Sequence, residues 1–252
     1  MTYPAVAPTR FRALASRPAL FSGLLFILGS LLLLAGGRSH PMIDSSLGAM
    51  GSVEFYQAFA AHVRASPGWE AIHDLILIGP VLWALAASGV HVALPRGGDP
   101  LWAVARTSIA IGASAWIVAF ALDGHNARAY ADAIMSASDP AALLDRTFQF
   151  SISTRLVGYF GRLGWMMMSL PFAAYGLGLL FDPRATAWRK ILGVAGVVVG
   201  SWMLFELLSG DFTPAPFTSK YWRYTAIAAS LWTSAFGATI ALWKREVDEV
   251  GD

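Results

Sequence analysis

Six long apolar segments, separated by polar or proline- and glycine-rich stretches, form the main pattern of this sequence. A run of about 20 apolar residues is long enough to cross the hydrocarbon core of a bilayer as an α-helix. The pattern therefore predicts an all-α, polytopic membrane protein with a single integral-membrane helical domain over residues 1–252. The six predicted transmembrane helices cover residues 19–36, 69–94, 101–122, 156–181, 190–209 and 222–243.

Two long stretches between these spans carry helical signals of their own. Ser52 is a suitable N-cap, and the apolar residues that follow it recur at helical spacing. Asp139 followed by Pro140 is also typical of a helix start, which predicts a second short helix ending at Leu144. We expect both helices to be amphipathic and to lie in two large outer loops. The loops cover residues 37–68 and 123–156.

The distribution of Lys and Arg predicts the orientation of the chain. Six spans place both termini on one side of the membrane. The segments on that side carry ten of the 18 Lys and Arg residues, within a shorter total length than the segments opposite. Because Lys and Arg are enriched in cytoplasmic segments, we expect both termini to be cytoplasmic, in a plasma membrane of the bacterial inner-membrane type.

The composition agrees with a membrane protein and narrows its chemistry. Hydrophobic residues make up 56% of the chain and charged residues 13%, and the mean hydropathy is +0.55. The net charge of +2 and the absence of a basic stripe predict no nucleic-acid partner. Because the chain has no cysteine, any metal site would have to use histidines and carboxylates.

Ionisable residues concentrate at the predicted outer ends of the spans. Glu70, His73 and Asp74 are spaced i, i+3 and i+4, so we expect them on one face of the second span. Ionisable groups at such positions are costly in a bilayer and usually face a protein interior or a water-filled cavity. His125 follows the third span, which a short turn should hold beside the second. The sequence therefore predicts that His73 and His125 approach each other.

These residues predict a pocket of mixed charge that holds a metal ion or a haem. Histidines and carboxylates bind zinc, iron or copper for redox or hydrolytic chemistry, and two facing histidines suit a haem. We expect His40 and His62 to be solvated loop residues instead. The predicted metal ligands are His73, His125, Asp74, Glu70, Asp123 and Glu206, and the predicted substrate-binding residues are Arg155, Arg162 and Tyr159.

Other interpretations of the same residues remain open. The ionisable groups would also suit a purely structural set that neutralises charge and ties the bundle together. Arg155 and Arg162 would serve a transporter or binder of an anionic small molecule. Gly193, Gly196 and Gly200 share one face of the fifth span, which would suit contact with a membrane-protein partner or a second copy. We expect that face to pack within the chain's own bundle.

Overall fold

The computed structural model of the chain describes residues 8–41, 52–93, 100–209 and 222–249, and all regular secondary structure in them is helical. Six helical segments have the length and apolar composition needed to cross a membrane. The chain is therefore a multi-pass protein of the lipid bilayer, as the apolar pattern predicts. The helices are α1 (Pro8–Ser39), α2 (Val53–Ala65), α3 (Trp69–Ala93), α4 (Pro100–Ala121), α5 (Ala127–Met135), α6 (Pro140–Leu180), α7 (Ala187–Leu208) and α8 (Trp222–Glu249).

The second large loop that the sequence predicts, residues 123–156, is almost entirely helical in the structure. The Asp139 side chain accepts a hydrogen bond from the backbone N–H of Ala142 and caps α6, but the helix does not end at Leu144. It continues through residues 145–157, which contain neither proline nor glycine, and runs on past Pro171 to Leu180. On the other side, α4 passes through a π-helical turn, Leu122–Asn126, directly into α5.

The first helix also differs from its predicted bounds. It begins at Pro8 and not near residue 19, so Pro18 lies inside the helix. The stretch with the composition of a membrane span is Arg17–Ser39. This longer helix extends to Ser39, so His40 directly follows its last residue.

Several tryptophans in the core of the bundle donate their indole N–H to an oxygen on another helix. Trp232 donates its indole N–H to the carbonyl of Leu192 on α7 at 2.8 Å. Trp165 on α6 donates in the same way to Met203 at 3.1 Å. Such bonds matter in an apolar interior because a buried donor without a partner is costly.

The glycine face of α7 packs against α6 within the same chain. A Cβ atom on Gly193 or Gly200 would lie 2.8 or 2.6 Å from a backbone oxygen of α6, and one on Gly196 would lie 2.8 Å from the carbonyl of Phe172. Only glycine permits so close an approach of two helix backbones. The expectation of packing within the bundle is confirmed.

A second apolar cluster covers one end of the bundle. Ser52 caps α2 by accepting from the N–H of Phe55 at 3.0 Å. The apolar face of α2 then packs on α5, on Trp69 at the start of α3 and on Phe150 of α6. The Phe59 and Phe150 rings are stacked, with centroids 5.4 Å apart. The candidate site lies at the same end of the bundle as this cluster. Its α2 members are Phe55, Tyr56, Phe59, Ala60 and Val63.

Candidate metal centre

Three buried side chains from separate parts of the chain converge beside this cluster. His73 lies in the first turns of α3, His40 directly follows α1, and Asp123 belongs to the π-helical turn after α4. The Nε2 atoms of His40 and His73 are 3.2 Å apart, and Nε2 of His73 is 3.2 Å from Oδ2 of Asp123. Within the described residues this is the one group of three His or acidic side chains arranged to hold a metal ion, with ligand atoms all within 4.8 Å of one another.

The hydrogen bonds of the two imidazoles determine which nitrogen carries a proton. Nδ1 of His73 lies 2.7 Å from the carbonyl oxygen of Trp69, and Nδ1 of His40 lies 2.8 Å from the carbonyl oxygen of Pro41. A carbonyl oxygen only accepts, so both Nδ1 atoms must donate. In the neutral imidazoles both Nε2 atoms therefore carry lone pairs. They converge with a carboxylate oxygen, an arrangement that either a proton on one Nε2 atom or a bound metal cation would relieve.

The surrounding residues hold the π-helical turn against α3. Trp69 donates its indole N–H to the backbone carbonyl of Asp123 at 2.7 Å, and its ring centroid lies 4.8 Å from that of His73. A Cβ on Gly124 would come within 2.7 Å of the Cβ of His73, so glycine allows the turn to lie close to the helix. The extra residue of a π-helical turn re-aims the side chains around it, and such turns are frequent at functional sites.

An apolar cavity of about 460 Å³ borders the centre. His40 belongs both to the three-residue cluster and to the cavity wall. Most of the wall consists of aliphatic and aromatic side chains, including Trp83, Trp116 and Trp165. The cluster of two histidines and one aspartate therefore lies beside a cavity suited to an apolar molecule.

The structure separates the residues that the sequence grouped around His73. His73 and Asp123 do come together. His125 does not join them: its Nε2 lies 2.9 Å from Oδ1 of Asp74, and its Nδ1 lies 3.7 Å from Oε1 of Glu70. All three members of this second set are about half exposed. Residues 73 and 74 are separated by about 100° around the helix, so the edge of the buried face falls between them.

The remaining predicted ligand, Glu206, is buried elsewhere in the bundle. Its Oε1 accepts a hydrogen bond from Thr225 of α8 at 2.7 Å and from Trp202 at 3.0 Å. It therefore ties α7 to α8 and lies outside the His40, His73 and Asp123 cluster.

The predicted substrate-binding residues do not meet at the cavity. Arg155 and Tyr159 are exposed on α6, and Arg162 is partly buried. None of these three is among the described residues that line the cavity. The single pocket of mixed charge is therefore replaced by a buried cluster, a half-exposed surface set and an interhelical Glu206.

His40 was expected to be a solvated loop residue, yet its side chain is buried, with only 7% of the residue exposed. His62, the other histidine expected in solvent, is partly buried, with its ring edge-on to Trp69 at 6.2 Å. The available signal for His40 was its position at the end of a span, the same criterion that selected His73.

Comparisons of the chain with protein-family models, with curated proteins and with solved structures found no match. Function is therefore inferred from the geometry of the site itself.

Proposed function

We propose that this chain is a metal-binding membrane protein that holds one divalent transition-metal ion between His40, His73 and Asp123. The observation that carries the proposal is the spacing of their ligand atoms. Metal–nitrogen and metal–oxygen bonds of about 2.0–2.2 Å at tetrahedral angles put neighbouring ligand atoms about 3.3 Å apart. Both separations around Nε2 of His73 are 3.2 Å in the structure.

The outer contacts of the ligands support the same proposal. Histidines that bind metals usually donate the other ring N–H to a carbonyl or carboxylate, which orients the ring. Here Trp69 and Pro41 supply those carbonyls. A bound divalent ion would replace the proton that the facing Nε2 atoms otherwise need, and Asp123 would neutralise part of its charge.

The ligand set favours a single ion over haem. The two axial ligands of a haem lie on opposite sides of the iron, about 4 Å apart, with the macrocycle between them. In this site the two Nε2 atoms are closer, and Asp123 would occupy the space of the macrocycle. Two histidines and one carboxylate suit zinc or non-haem iron(II).

The position of the centre favours a catalytic role. Three protein ligands leave a coordination position for water or substrate, as in catalytic zinc sites and non-haem iron oxygenases. His40 brings the centre to the edge of the apolar cavity. We therefore propose hydrolytic or redox chemistry on a molecule bound in the cavity. Which of the two reactions occurs would depend on which metal is bound.

The first test is elemental analysis of detergent-purified protein, with an absorption spectrum. We expect about one zinc or iron per chain, no Soret band, and loss of the metal in His73→Ala and Asp123→Asn. His125→Ala is the matched control, because His125 forms a half-exposed pair with Asp74 and should not affect metal content. Metal-free wild-type protein that also fails to bind added zinc or iron(II) would refute the proposal.

We also propose the N-in, C-in orientation, which puts the metal centre at the outer face. The support is the bias of Lys and Arg toward the segments around the termini. Because the chain has no cysteine, single introduced cysteines can be labelled without background. An impermeant maleimide should label Ser138→Cys in intact cells and leave Arg184→Cys unlabelled. Both positions are exposed, and the reverse pattern would invert the orientation.

A further inference from the structure

Large buried side chains from α3, α4 and α6 form part of the cavity wall, and we call this part the floor. They include Trp83, Trp116 and Phe172. A volume of about 460 Å³ lies within the range of roughly 300–1,000 Å³ that is typical of small-molecule sites. The lining is apolar along nearly its whole length, so a long apolar chain would be buried there in place of lipid contacts.

One end of the cavity differs from the rest because it carries positive charge. Arg38 and His40 both line the cavity, close to the metal centre. Arg38 is the only residue with a fixed charge among the described residues of the lining. A guanidinium group pairs well with a carboxylate or phosphate, and a divalent ion bound through a single carboxylate would add further positive charge.

Helices α1 and α8 contact each other closely and both line the cavity. The two helices cross in close contact at Gly23 and Gly237, where a Cβ on Gly237 would lie 2.6 Å from the carbonyl of Gly23. About ten residues further along each helix, or about 15 Å, both helices line the cavity with Leu33 on one side and Ile227 on the other.

Residues at this position are also exposed on the outside of the bundle. Arg38 is exposed, and Ile227 retains 46% of its surface although it lines the cavity. Lining residues of both α1 and α8 are therefore also exposed at the surface of the bundle.

We propose that the cavity binds a single-chain amphipathic lipid with an acidic head group, which enters laterally from the bilayer between α1 and α8. The alkyl chain lies on the aromatic floor, and the acidic head lies against Arg38 beside His40. Any reaction at the head group rests on the proposed function, because it would require the metal centre. Binding of the lipid itself requires only the cavity and Arg38.

The test uses the full-length protein in phosphatidylcholine nanodiscs with a diazirine-labelled palmitic acid as the probe. After irradiation, mass spectrometry should locate adducts in residues 33–38 and 226–230, and unlabelled palmitate should compete. Ala229→Trp fills the cavity, whereas Ala228→Trp places the same side chain on the exposed face of α8. We expect about tenfold less labelling in the first variant and no change in the second.

Two further variants separate folding, head-group recognition and metal binding. Ser230→Phe also fills the cavity and should reduce labelling if Ala229→Trp does not fold. Arg38→Gln should weaken competition by palmitate about tenfold, through loss of a charge-assisted contact, and leave competition by hexadecanol unchanged. Equal labelling in wild type and in a folded cavity-filled variant, or adducts spread evenly over lipid-exposed helix faces, would overturn the inference.

His73→Ala distinguishes this inference from the metal proposal. The variant should lose the metal and keep the labelled adducts, because His73 does not line the cavity. Adducts in a protein that binds no metal would retain the lipid site and reject the metal centre. Metal binding without adducts in the cavity would retain the metal centre and reject the lipid site.

Discussion

Replacement of Gly124 by alanine tests how the π-helical turn positions Asp123. The added Cβ would lie 2.7 Å from the Cβ of His73, whereas carbon atoms in contact are about 3.5–4.0 Å apart. The turn must therefore move away from α3 by about 1 Å. The Cβ of His73 cannot move aside by rotamer change because it is attached directly to the helix backbone.

The size of this shift determines the expected effect. Metal–ligand distances tolerate deviations of only about 0.2 Å, so a displacement of about 1 Å removes Asp123 from a productive position. We expect metal affinity to fall at least 10–100-fold, the range for changes in groups that orient ligands. We expect the free energy of unfolding to fall by about 1–3 kcal/mol, as for other overpacked cores.

The assay compares Gly124→Ala with Gly161→Ala. A Cβ on Gly161 would meet no heavy atom within 4 Å, so this variant should keep its metal affinity and lose no stability. Affinity is measured by competition with a chelator, and stability by thermal unfolding followed by circular dichroism. The stability comparison tests the packing even in metal-free protein. Wild-type affinity and wild-type stability in Gly124→Ala would refute the close packing of the turn on His73.

Three further changes test other parts of the structure. Trp69→Phe keeps an aromatic ring but removes the 2.7 Å bond to the carbonyl of Asp123, so it should cost about 1 kcal/mol in unfolding and lower metal affinity about tenfold in the chelator assay. Gly237→Ala should lower the unfolding free energy by about 1–3 kcal/mol by forcing α1 and α8 apart at Gly23, and an unchanged melting temperature would contradict that crossing. Burial raises the pKa of Tyr56, and a nearby arginine opposes this only in part. Above about pH 10 the unfolded chain ionises first, so stability that is present at lower pH is lost as the pH rises toward the folded-state pKa. Tyr56→Phe should therefore lose less stability in that range, as measured by alkaline unfolding.

The sequence was sufficient for features that depend on local chemistry. Apolar runs long enough to cross a bilayer identified all six candidate spans, since each must satisfy its backbone polar groups internally whatever its neighbours. Capping residues were equally readable, because Ser52 and Asp139 bond to N–H groups only three residues away. The cost of charge in a bilayer pointed correctly to His73 as a buried residue, but the same reasoning selected Glu70 and Asp74, which are about half exposed.

The sequence did not predict the full length of α6 or the π-helical turn. Residues 140–155 are too polar to be selected as part of a span, yet they are helical because they continue a capped helix and pack under α2 through Phe150. The turn at Leu122–Asn126 depends on a glycine lying against another helix, a contact that no pattern within α4 encodes.

The tertiary structure alone decided which side chains form the candidate centre. His40 and His73 are separated by 33 positions in the chain, and His73 and Asp123 by 50, so their approach depends on how three helix ends pack. His125, close in sequence to Asp123, turns instead toward Asp74 on the surface. Sequence patterns identify which residues are costly to expose to lipid, but the position of a helix around its own axis, and hence the partner of each residue, is determined by packing with neighbouring helices.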